Sequence, residues 1–483
     1  MSDTFLHGIE TIEKNDGPRP IETIDTATIL LLFTAPAADA TIWPLNTPKL
    51  ILGERGFPGG LGSSGTGPDA FDGLWDQASK KGLAKIMAIR IAEDEDAAVQ
   101  MGNVIGDRLL RTGMHAARDG RADLGITPRL LVAPGFTSNR PTDGVQSIAL
   151  DDAGAGYTVA PTVTITGDGT GAAAIATIDA NGEVTEVVVT NPGAGYTGAV
   201  VAFSGGGGGA GAAATATLGQ VANPVATELL TLANRFRAGV IVDGPNTDAA
   251  AAYQYRLDYD TDRMLIVDPH VKVFKGSAVQ TEPASARVAG LQAKIDLEEG
   301  FWVSPSNHVL EGVVGTARVV EHSLYERDVE SQYLNQNAIA TVVRAPSGGW
   351  KLWGNRVPSS DPLNIFWARR RAHDVIIDSI EEAHEWAVDK PFSLQLLLDI
   401  AESVNAKLRV WKRLGATLGG RVWLDPELNT PLTLASGQLY IHYDAEGPAP
   451  LEHLVFVFNR NTGYYTELTE DAAREIARLA SAA

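Results

Sequence analysis

The sequence contains no cysteine among its 483 residues. This absence excludes disulfide bonds, thiolate metal sites and a cysteine nucleophile. Basic residues are also few relative to acidic ones, with 39 Lys and Arg against 59 Asp and Glu and a formal net charge of −20. Because an acidic surface repels phosphate groups, this balance argues against broad nucleic-acid binding.

Long hydrophobic runs are also missing from the sequence. The longest aliphatic run, from Ala27 to Phe33, is far shorter than the roughly 20 residues that span a bilayer, and it is typical of a buried strand. The first residues lack the basic and apolar regions of a secretory signal. We therefore expect no secretory signal and no membrane insertion. The sequence also has no P-loop, no G-x-S-x-G and no H-E-x-x-H motif.

Between Thr28 and Phe274, short apolar segments alternate with amphipathic ones. This alternation predicts an α/β domain with a largely parallel sheet that is covered on both faces. The predicted strands are Thr28–Phe33, Lys85–Ile91, Arg129–Ala133, Gly239–Val242 and Met264–Val267. The predicted helices are Ala70–Lys80, Asp96–Leu110, Pro224–Arg237 and Thr247–Tyr255.

Residues 147–220 interrupt this alternation and contain no Lys or Arg. They include an internal repeat, because Gly154–Thr158 returns as Gly193–Thr197, and Gly171–Thr177 returns in similar form as Gly211–Thr217. Alternating β-branched residues and Asn-Gly turns predict a small all-β unit of two similar halves, inserted at an exposed loop. Its charge of −6 favours a solvated, protective role, and a receptor- or glycan-binding role is the alternative. The acidic residues are Asp151, Asp152, Asp168, Asp179, Glu183 and Glu186.

Two amphipathic helices are predicted between Asp361 and Pro431. Asp361-Pro362 is typical of a helix start, Lys390-Pro391 ends the first helix, and glycines from Gly415 onward end the second. Strands are predicted at Gln438–Tyr443 and His453–Phe458, and Thr462–Leu468 is predicted as a further extended segment. A last helix is predicted to begin at Thr469. A helical hairpin alone indicates no function, because many activities occur on such hairpins.

Four segments carry a resemblance to a known family. They are Trp302–Asn307, Leu352–Arg356, Ala383–Pro391 and Asp425–Thr430. In this order and spacing they resemble the tail sheath proteins of contractile-tailed bacteriophages, most closely the branch of P2-like and Mu-like phages and R-type tailocins. The resemblance covers roughly residues 7–140 and 221–467.

The resemblance implies an α+β multidomain fold with an α/β core, a small all-β insertion and an α+β C-terminal sheath domain. It implies a structural subunit that polymerises as stacked rings around a tail tube and contracts to drive the tube through the bacterial envelope. No enzymatic activity, metal or cofactor is expected. The domains expected are an N-terminal arm (1–20), the core (21–146 and 221–345), the surface β domain (147–220), a tube-facing domain (346–468) and a helical tail (469–483).

The family also implies partners and a location. The partners are further copies of the chain, the tail tube protein, the baseplate and the tail terminator. The location is the virion tail, assembled in the host bacterial cytoplasm. Whether such a sheath serves a complete phage or a tailocin is left open by the sequence.

In the family, both ends of the chain act as arms that add strands to neighbouring subunits. The residues implied are Gly8, Ile9, Glu10, Thr11, Ile12, Val455, Phe456, Val457 and Phe458. For the first arm, the proline-rich turns that follow it leave the strand nothing local to pair with. The alternative is a strand that pairs within its own domain.

A basic strip lies in the region that faces the tube in the family. Between Ser403 and Arg421 there is no acidic residue, although the chain as a whole is acidic. We predict that this strip docks on an acidic tube surface and sets the register of the subunits. The alternative is that it pairs with acids of adjacent subunits. The docking residues are Lys407, Arg409, Lys412 and Arg413.

An NAD-dependent α/β enzyme is the competing interpretation. Gly60–Gly65 matches G-x-G-x-x-G and precedes a predicted helix, with Glu93 after the next strand. However, Phe57-Pro58-Gly59 separates this loop from any preceding strand, so a plain loop is favoured. The acids of Asp258–Asp262 depart from a calcium-binding loop at its sixth and twelfth positions, and Glu381-x-x-His384 occurs only once, so neither pattern predicts a metal site.

Overall fold

The structure is a computed structural model that describes residues 20–82 and 84–481. The chain divides into two compact units, residues 1–448 and residues 449–483.

The first ten strands in chain order are β1 (Thr28–Thr34), β2 (Pro48–Leu52), β3 (Lys85–Ile91), β4 (Leu130–Val132), β5 (Gly144–Ala155), β6 (Thr162–Gly167), β7 (Thr170–Ile178), β8 (Val184–Ala194), β9 (Ala199–Ser204) and β10 (Ala210–Gly219). The later strands are β11 (Gly239–Asp243), β12 (Met264–Val267), β13 (Val271–Lys275), β14 (Ala278–Glu282), β15 (Val313–Thr316), β16 (Ile339–Arg344), β17 (Trp350–Trp353), β18 (Gly419–Leu424) and β19 (Ile441–Glu446).

The helices are α1 (Gly67–Asp76), α2 (Ala97–Ile105), α3 (Gly120–Leu124), α4 (Pro224–Phe236), α5 (Ala249–Leu257), α6 (Ser285–Glu298), α7 (Glu330–Gln336), α8 (Trp367–Ala383), α9 (Leu394–Leu414), α10 (Pro431–Ala435) and α11 (Gly463–Ser481). Four short 3₁₀ turns accompany them in the described chain, at Glu54–Gly56, Gly113–Asp119, Pro362–Asn364 and Glu385–Ala387.

A central sheet of eight strands organises the first unit, in the order β17-β16-β12-β11-β4-β1-β3-β2. Its six inner strands are parallel, and the two edge strands β2 and β17 are antiparallel to their neighbours. Every residue of β1 is buried. Helices α1 and α6 cover one face, while α2, α4, α5 and α7 cover the other. The predicted largely parallel sheet with helices on both faces is confirmed.

A six-stranded antiparallel sheet follows β4 in the chain, in the order β5-β10-β9-β6-β7-β8. The sequence repeat becomes a structural repeat: the Tyr157 hydroxyl accepts a hydrogen bond from Ala212 N at 3.3 Å, and the Tyr196 hydroxyl accepts one from Ala172 N at 3.3 Å. The register shifts after Ala173 in β7 and after Ala213 in β10, at corresponding positions of the two halves. The tyrosine of each half therefore bonds to a strand of the other half.

Helices α8 and α9 pack with β18 and β19 around a smaller apolar core that includes Val404, Leu408 and Trp411. A row of ion pairs joins α8 to the central sheet and its helices. Arg371 Nη2 lies 2.6 Å from Asp296 Oδ2, and Arg237 Nη1 lies 2.6 Å from Glu381 Oε2. Further pairs of the row are Arg263 with Asp374, Arg129 with Asp378 and Arg370 with Asp262. Beyond Trp367, which is buried in the apolar core of the central sheet, the side of α8 that faces the sheet is therefore charged.

The helix predicted from Asp361 begins later than expected. Asp361 accepts a hydrogen bond from Leu363 N at 2.9 Å, but it caps only the 3₁₀ turn Pro362–Asn364. The α-helix starts at Trp367 because the backbone at Phe366 is extended and pairs with Arg356 in an isolated bridge.

The second unit consists of a segment without regular secondary structure followed by α11, and three predictions for it are wrong, since Thr462–Leu468, predicted as extended, is helical from Gly463 onward. The last helix begins at Gly463 rather than Thr469, since Tyr465 and Leu468 continue the apolar stripe of the helix toward its start. Residues 453–458 form no strand within the described chain, although their alternation predicts one. Alternation fixes which face a strand would bury, but a strand also needs a neighbour for its backbone hydrogen bonds.

Candidate assembly surfaces

The sheet formed by β18 and β19 has only two strands, paired antiparallel from Gly419 opposite Glu446 to Leu424 opposite Ile441. Both of its outer edges lack a neighbouring strand in the part of the chain that the structure describes. Trp423 and Leu424 stay about two-fifths exposed, at 39% and 42%. Two strands alone form a marginal sheet, and an open edge offers unpaired backbone N–H and C=O groups. Both edges of this sheet are therefore open within the described residues.

The segment of the second unit before α11 carries four consecutive large apolar residues, Val455 to Phe458. All four are exposed in this single subunit, with Phe456 at 86% and Phe458 at 87%. Contiguous exposed apolar side chains mark an interaction surface. The segment is therefore an exposed apolar surface without a strand partner in the part of the chain that the structure describes.

The first predicted arm, Gly8 to Ile12, lies outside the described residues. The chain that follows it is anchored to the helical hairpin: Ile24 N donates to Ser379 Oγ at 3.1 Å, and Trp411 Nε1 donates to Thr23 Oγ1 at 3.3 Å. Ile21 is buried in the same small core. Sequence reasoning missed this anchor, although the isolated apolar Ile21 and Ile24 after two prolines are a signal for it.

The predicted basic strip lies on the last turns of α9. Arg409, Lys412 and Arg413 are exposed, and none of them takes part in an ion pair within the described chain. Lys407 differs, because its Nζ lies 5.1 Å from the centre of the Trp411 ring and its pKa is lowered by burial. The structure therefore brings three of the four predicted docking residues together on open surface.

The glycine-rich loop Gly60–Gly65 packs against its own chain. Gly65 has a φ of 86°, and a Cβ there would lie 2.4 Å from the carbonyl oxygen of Thr34 at the end of β1. Only glycine fits such a backbone conformation at so close an approach. The glycines thus have a packing role in this loop.

The residues of the two patterns that resemble metal sites form hydrogen bonds with other residues of the same chain. Asp258 receives two hydrogen bonds from Arg140, at 2.6 and 2.8 Å, and Asp260 receives two from Ser360, both at 2.7 Å. His384 Nε2 lies 2.9 Å from Ser403 Oγ. Across residues 20–82 and 84–481, no group of three or more His, Asp or Glu side chains is arranged to hold a metal ion.

Among the described helices, none has both the length and the apolar character that crossing a membrane requires.

Comparison with known proteins identifies the family. Residues 190–357 match the family model of the phage tail sheath protein central domain, and residues 360–460 match that of the phage tail sheath C-terminal domain. The tail sheath protein of Burkholderia phage BcepMu is 30% identical over 98% of this chain and 98% of its own length. The chain belongs to the phage tail sheath protein family.

Other tail sheath proteins agree with this assignment. The tail sheath protein of Escherichia phage P2 is 27% identical, covering 94% of this chain and 95% of its own. The solved helical sheath of the anti-feeding prophage in its contracted state is 17% identical and superposes with a TM-score of 0.59, covering 95% of this chain and 100% of that one. At that identity the likeness shows the fold alone. The relatives are structural sheath proteins, so the resemblance seen in the sequence is confirmed and the NAD-dependent alternative is not supported.

Proposed function

We propose that copies of this tail sheath protein are joined by strand addition to the edges of β18 and β19. The observation that carries the proposal is the match between a two-stranded sheet with open edges and an exposed apolar segment without a strand partner in the described chain. The segment 453–458 and each strand of the sheet are six residues long. Added strands would satisfy the backbone groups at both edges.

The proposal assigns both arms to this sheet. Val455, Phe456, Val457 and Phe458 would add along one edge of a neighbouring copy. Gly8, Ile9, Glu10, Thr11 and Ile12 would add along the other, and the anchoring of Ile21 and Thr23 to the hairpin supports an arm that leaves from this region. Links made of main-chain hydrogen bonds tolerate rotation of whole subunits, because they depend little on surrounding side-chain pockets.

The sheath so formed would be stacked rings around a tail tube, with the baseplate and tail terminator at its ends. Contraction would be a rigid-body rearrangement from a kinetically trapped packing to one of lower free energy, which drives the tube through the bacterial envelope. The energy would be stored at assembly, which would take place in the host bacterial cytoplasm, and the finished sheath would belong to the virion tail.

The arrangement of domains in the sheath is part of the proposal. Residues 346–468 would face the tube, residues 21–146 and 221–345 would form the middle layer, and the β unit at 147–220 would point outward. The separate six-stranded sheet and its acidic composition support an outer position for the β unit. Arg409, Lys412 and Arg413 would dock on an acidic tube surface, with Lys407 supporting the helix beneath them.

Electron microscopy of purified protein tests the strand addition. Unaltered protein is expected to form rings or tubes, whereas protein without residues 1–20, or with the double substitution Val455→Pro and Val457→Pro, is expected to stay monomeric. Proline removes backbone N–H donors that an added strand needs. Leu451→Pro is the matched control, because it lies in the same segment but outside the proposed strand. Normal assembly of the double proline variant would refute strand addition at this segment.

A further inference from the structure

The loop that follows α2 exposes two leucine side chains to solvent. Leu109 is 89% exposed and Leu110 is 75% exposed. The loop is nevertheless well ordered by hydrogen bonds, since Asp107 Oδ1 accepts from Leu109 N at 2.6 Å and from Leu110 N at 2.7 Å. Asp107 N in turn donates to Thr112 Oγ1 at 2.8 Å. We call residues 107–112 the leucine knob.

Arginines surround the leucine knob. Arg118 Nη1 donates to the carbonyl oxygen of Arg108 at 3.3 Å. Burial, and after it the charges of Arg111, Arg235 and Arg108, lower the pKa of Arg118. Within the described chain, Arg111 has one ion pair, with Asp119 at 3.4 Å. In a chain of net charge −20, the knob itself carries two arginines, Arg108 and Arg111, and one acid, Asp107, beside its apolar tip.

An acidic cleft of about 650 Å³ lies elsewhere on the same unit. Its walls are the loop Gly62–Gly65, the first turns of α1 with Asp69 and Asp72, and the hairpin of β13 and β14. Lys275 contacts Asp69 and lies 3.7 Å from Asp72, so two carboxylates and one cation line the cleft. The cleft therefore carries negative charge.

Two exposed apolar side chains lie on the β13–β14 hairpin, and one of them, Phe274, lines the acidic cleft. Phe274 and Val279 face each other across the β13–β14 hairpin and are 65% and 50% exposed. The cleft thus combines an exposed apolar side chain with negative charge, whereas the knob combines an apolar tip with positive charge.

The two surfaces lie on opposite sides of the central sheet. Ile105 and Met114, which flank the knob, belong to the apolar core on one face of the sheet. Phe71 of α1 and Val273 of β13, beside the cleft, belong to the core on the other face. A contact between them within one subunit is therefore blocked by the sheet itself.

We propose that the leucine knob of one copy of this chain seats in the acidic cleft of the next copy, with Arg108 and Arg111 facing Asp69 and Asp72. Two different, complementary surfaces on opposite faces make a head-to-tail contact, which repeats from subunit to subunit as rings and helices require. The leucines contribute apolar burial, and the charges fix the register and exclude wrong pairings. The inference rests on the proposed self-assembly, but it uses surfaces distinct from the strand-adding arms.

The absence of cysteine allows a direct test by disulfide trapping. Full-length protein carrying Leu110→Cys and Gln280→Cys is assembled, oxidised and run on a gel without reductant. A disulfide forms only when the two Cβ atoms come within about 4.5 Å, so a ladder of covalent oligomers is expected. The matched control carries Leu110→Cys and Val319→Cys, because Val319 is 88% exposed but lies outside the cleft.

Each outcome decides between the two proposals. A ladder in the test variant and none in the control supports the knob-in-cleft contact. Rings or tubes without a ladder overturn that contact and leave strand addition intact. If no assembly forms although the protein is folded, the proposed self-assembly fails and the inference fails with it.

Charge reversal gives an independent measurement. Arg108→Glu and Asp72→Arg are each expected to raise the concentration needed for assembly about tenfold, because each places like charges opposite one another. An equal mixture of the two variants is expected to recover much of the assembly, since each then presents a complementary partner to the other. A mixture no better than either variant alone would overturn the proposed pairing.

Discussion

Arg371 of α8 and Asp296 of α6 form an ion pair of 2.6 Å, with side chains that are only 5% and 0% exposed. Gln292 Nε2 also donates to Asp296 Oδ1 at 2.8 Å, so the carboxylate is well satisfied. The free energy needed to remove two charges from water offsets most of their electrostatic attraction, so the pair adds little to the net stability of the fold. Removing only one partner is strongly destabilising, because the other charge then stays buried without an opposite charge beside it.

Arg371→Met is therefore expected to lower the free energy of unfolding by about 3–5 kcal/mol, whereas Arg371→Met combined with Asp296→Leu should cost much less. The physical reason is that the double variant buries no unpaired charge. Urea denaturation of the purified full-length chain measures the stability of both variants, and their midpoints are compared with that of the unaltered protein. A double variant as unstable as the single one would contradict this account of the α8 interface.

Gly195 and Gly156 occupy corresponding positions in the two halves of the β unit, with φ of 79° and 82°. A Cβ at Gly195 would lie 2.5 Å from Ala98 Cβ of α2, while a Cβ at Gly156 would meet nothing closer than Gly209 Cα at 3.7 Å. Both substitutions place an alanine at a similar positive φ and therefore cost similar backbone strain. Gly156→Ala serves as the matched control. Gly195→Ala should destabilise by about 1–3 kcal/mol more, because it also overpacks the contact with α2. Thermal unfolding of both variants tests the difference. Equal losses of stability would show that the contact between Gly195 and α2 is loose.

The exposed end of α9 gives a prediction about tube docking. Lys412→Glu with Arg413→Glu should leave sheath self-assembly intact but abolish coassembly with the tail tube protein, since the reversed charges would repel an acidic tube. Microscopy of sheath assembled with and without tube protein provides the measurement. Lys80→Glu with Lys81→Glu makes the same change in net charge on another surface and should coassemble normally. Unchanged coassembly of the α9 variant would instead favour pairing of these residues with acids of adjacent subunits.

His322 gives the chain a defined response to acid. Burial, and after it the charge of Lys351, lower the pKa of His322, whose ring also meets Trp353 edge-on at 5.0 Å. In the unfolded chain the same group has a pKa of about 6.5, so acid favours the unfolded state. Stability should decline as the pH falls through about 6.5 and level off only below the lowered pKa of the folded protein.

The variant His322→Gln should reduce this loss of stability between neutral and mildly acidic pH. Denaturation midpoints measured across that range test the expectation, with the exposed His453→Gln as the control. Since burial also lowers the pKa of His115 and His373, the variant should retain part of the decline. An unchanged pH profile would mean that His322 is as easily protonated in the folded state as in the unfolded one.

The sequence predicted the inner strands well, and the predicted bounds Lys85–Ile91 and Met264–Val267 are confirmed as β3 and β12. Continuous apolar runs between turn residues leave little choice of structure when both faces of a sheet are covered. Helix starts were predicted less well, as at Thr469, because a cap residue inside a helix resembles one at its beginning.

The candidate surfaces were only partly predictable. Arg409, Lys412 and Arg413 could be found by their charge, but the half-buried position of Lys407 follows from the place of Trp411 on the next turn of the same helix. The knob and the cleft gave no signal in the sequence. Leu109 and Leu110 resemble a continuation of α2, and only the turn made by Asp107 shows that they leave the core.

The sequence by itself determined the family, the covered parallel sheet and the repeat, because ordered motifs and apolar periodicity are local properties of the chain. Tertiary structure alone decided which half of the repeat meets the core. Asn191 of the second half is buried and donates to the carbonyl oxygen of Pro224 at 3.1 Å, whereas its counterpart Asp152 is exposed. It also decided that the knob and the cleft lie on opposite faces of one sheet. Such relations depend on how distant segments pack together, and neither composition nor spacing along the chain encodes them directly.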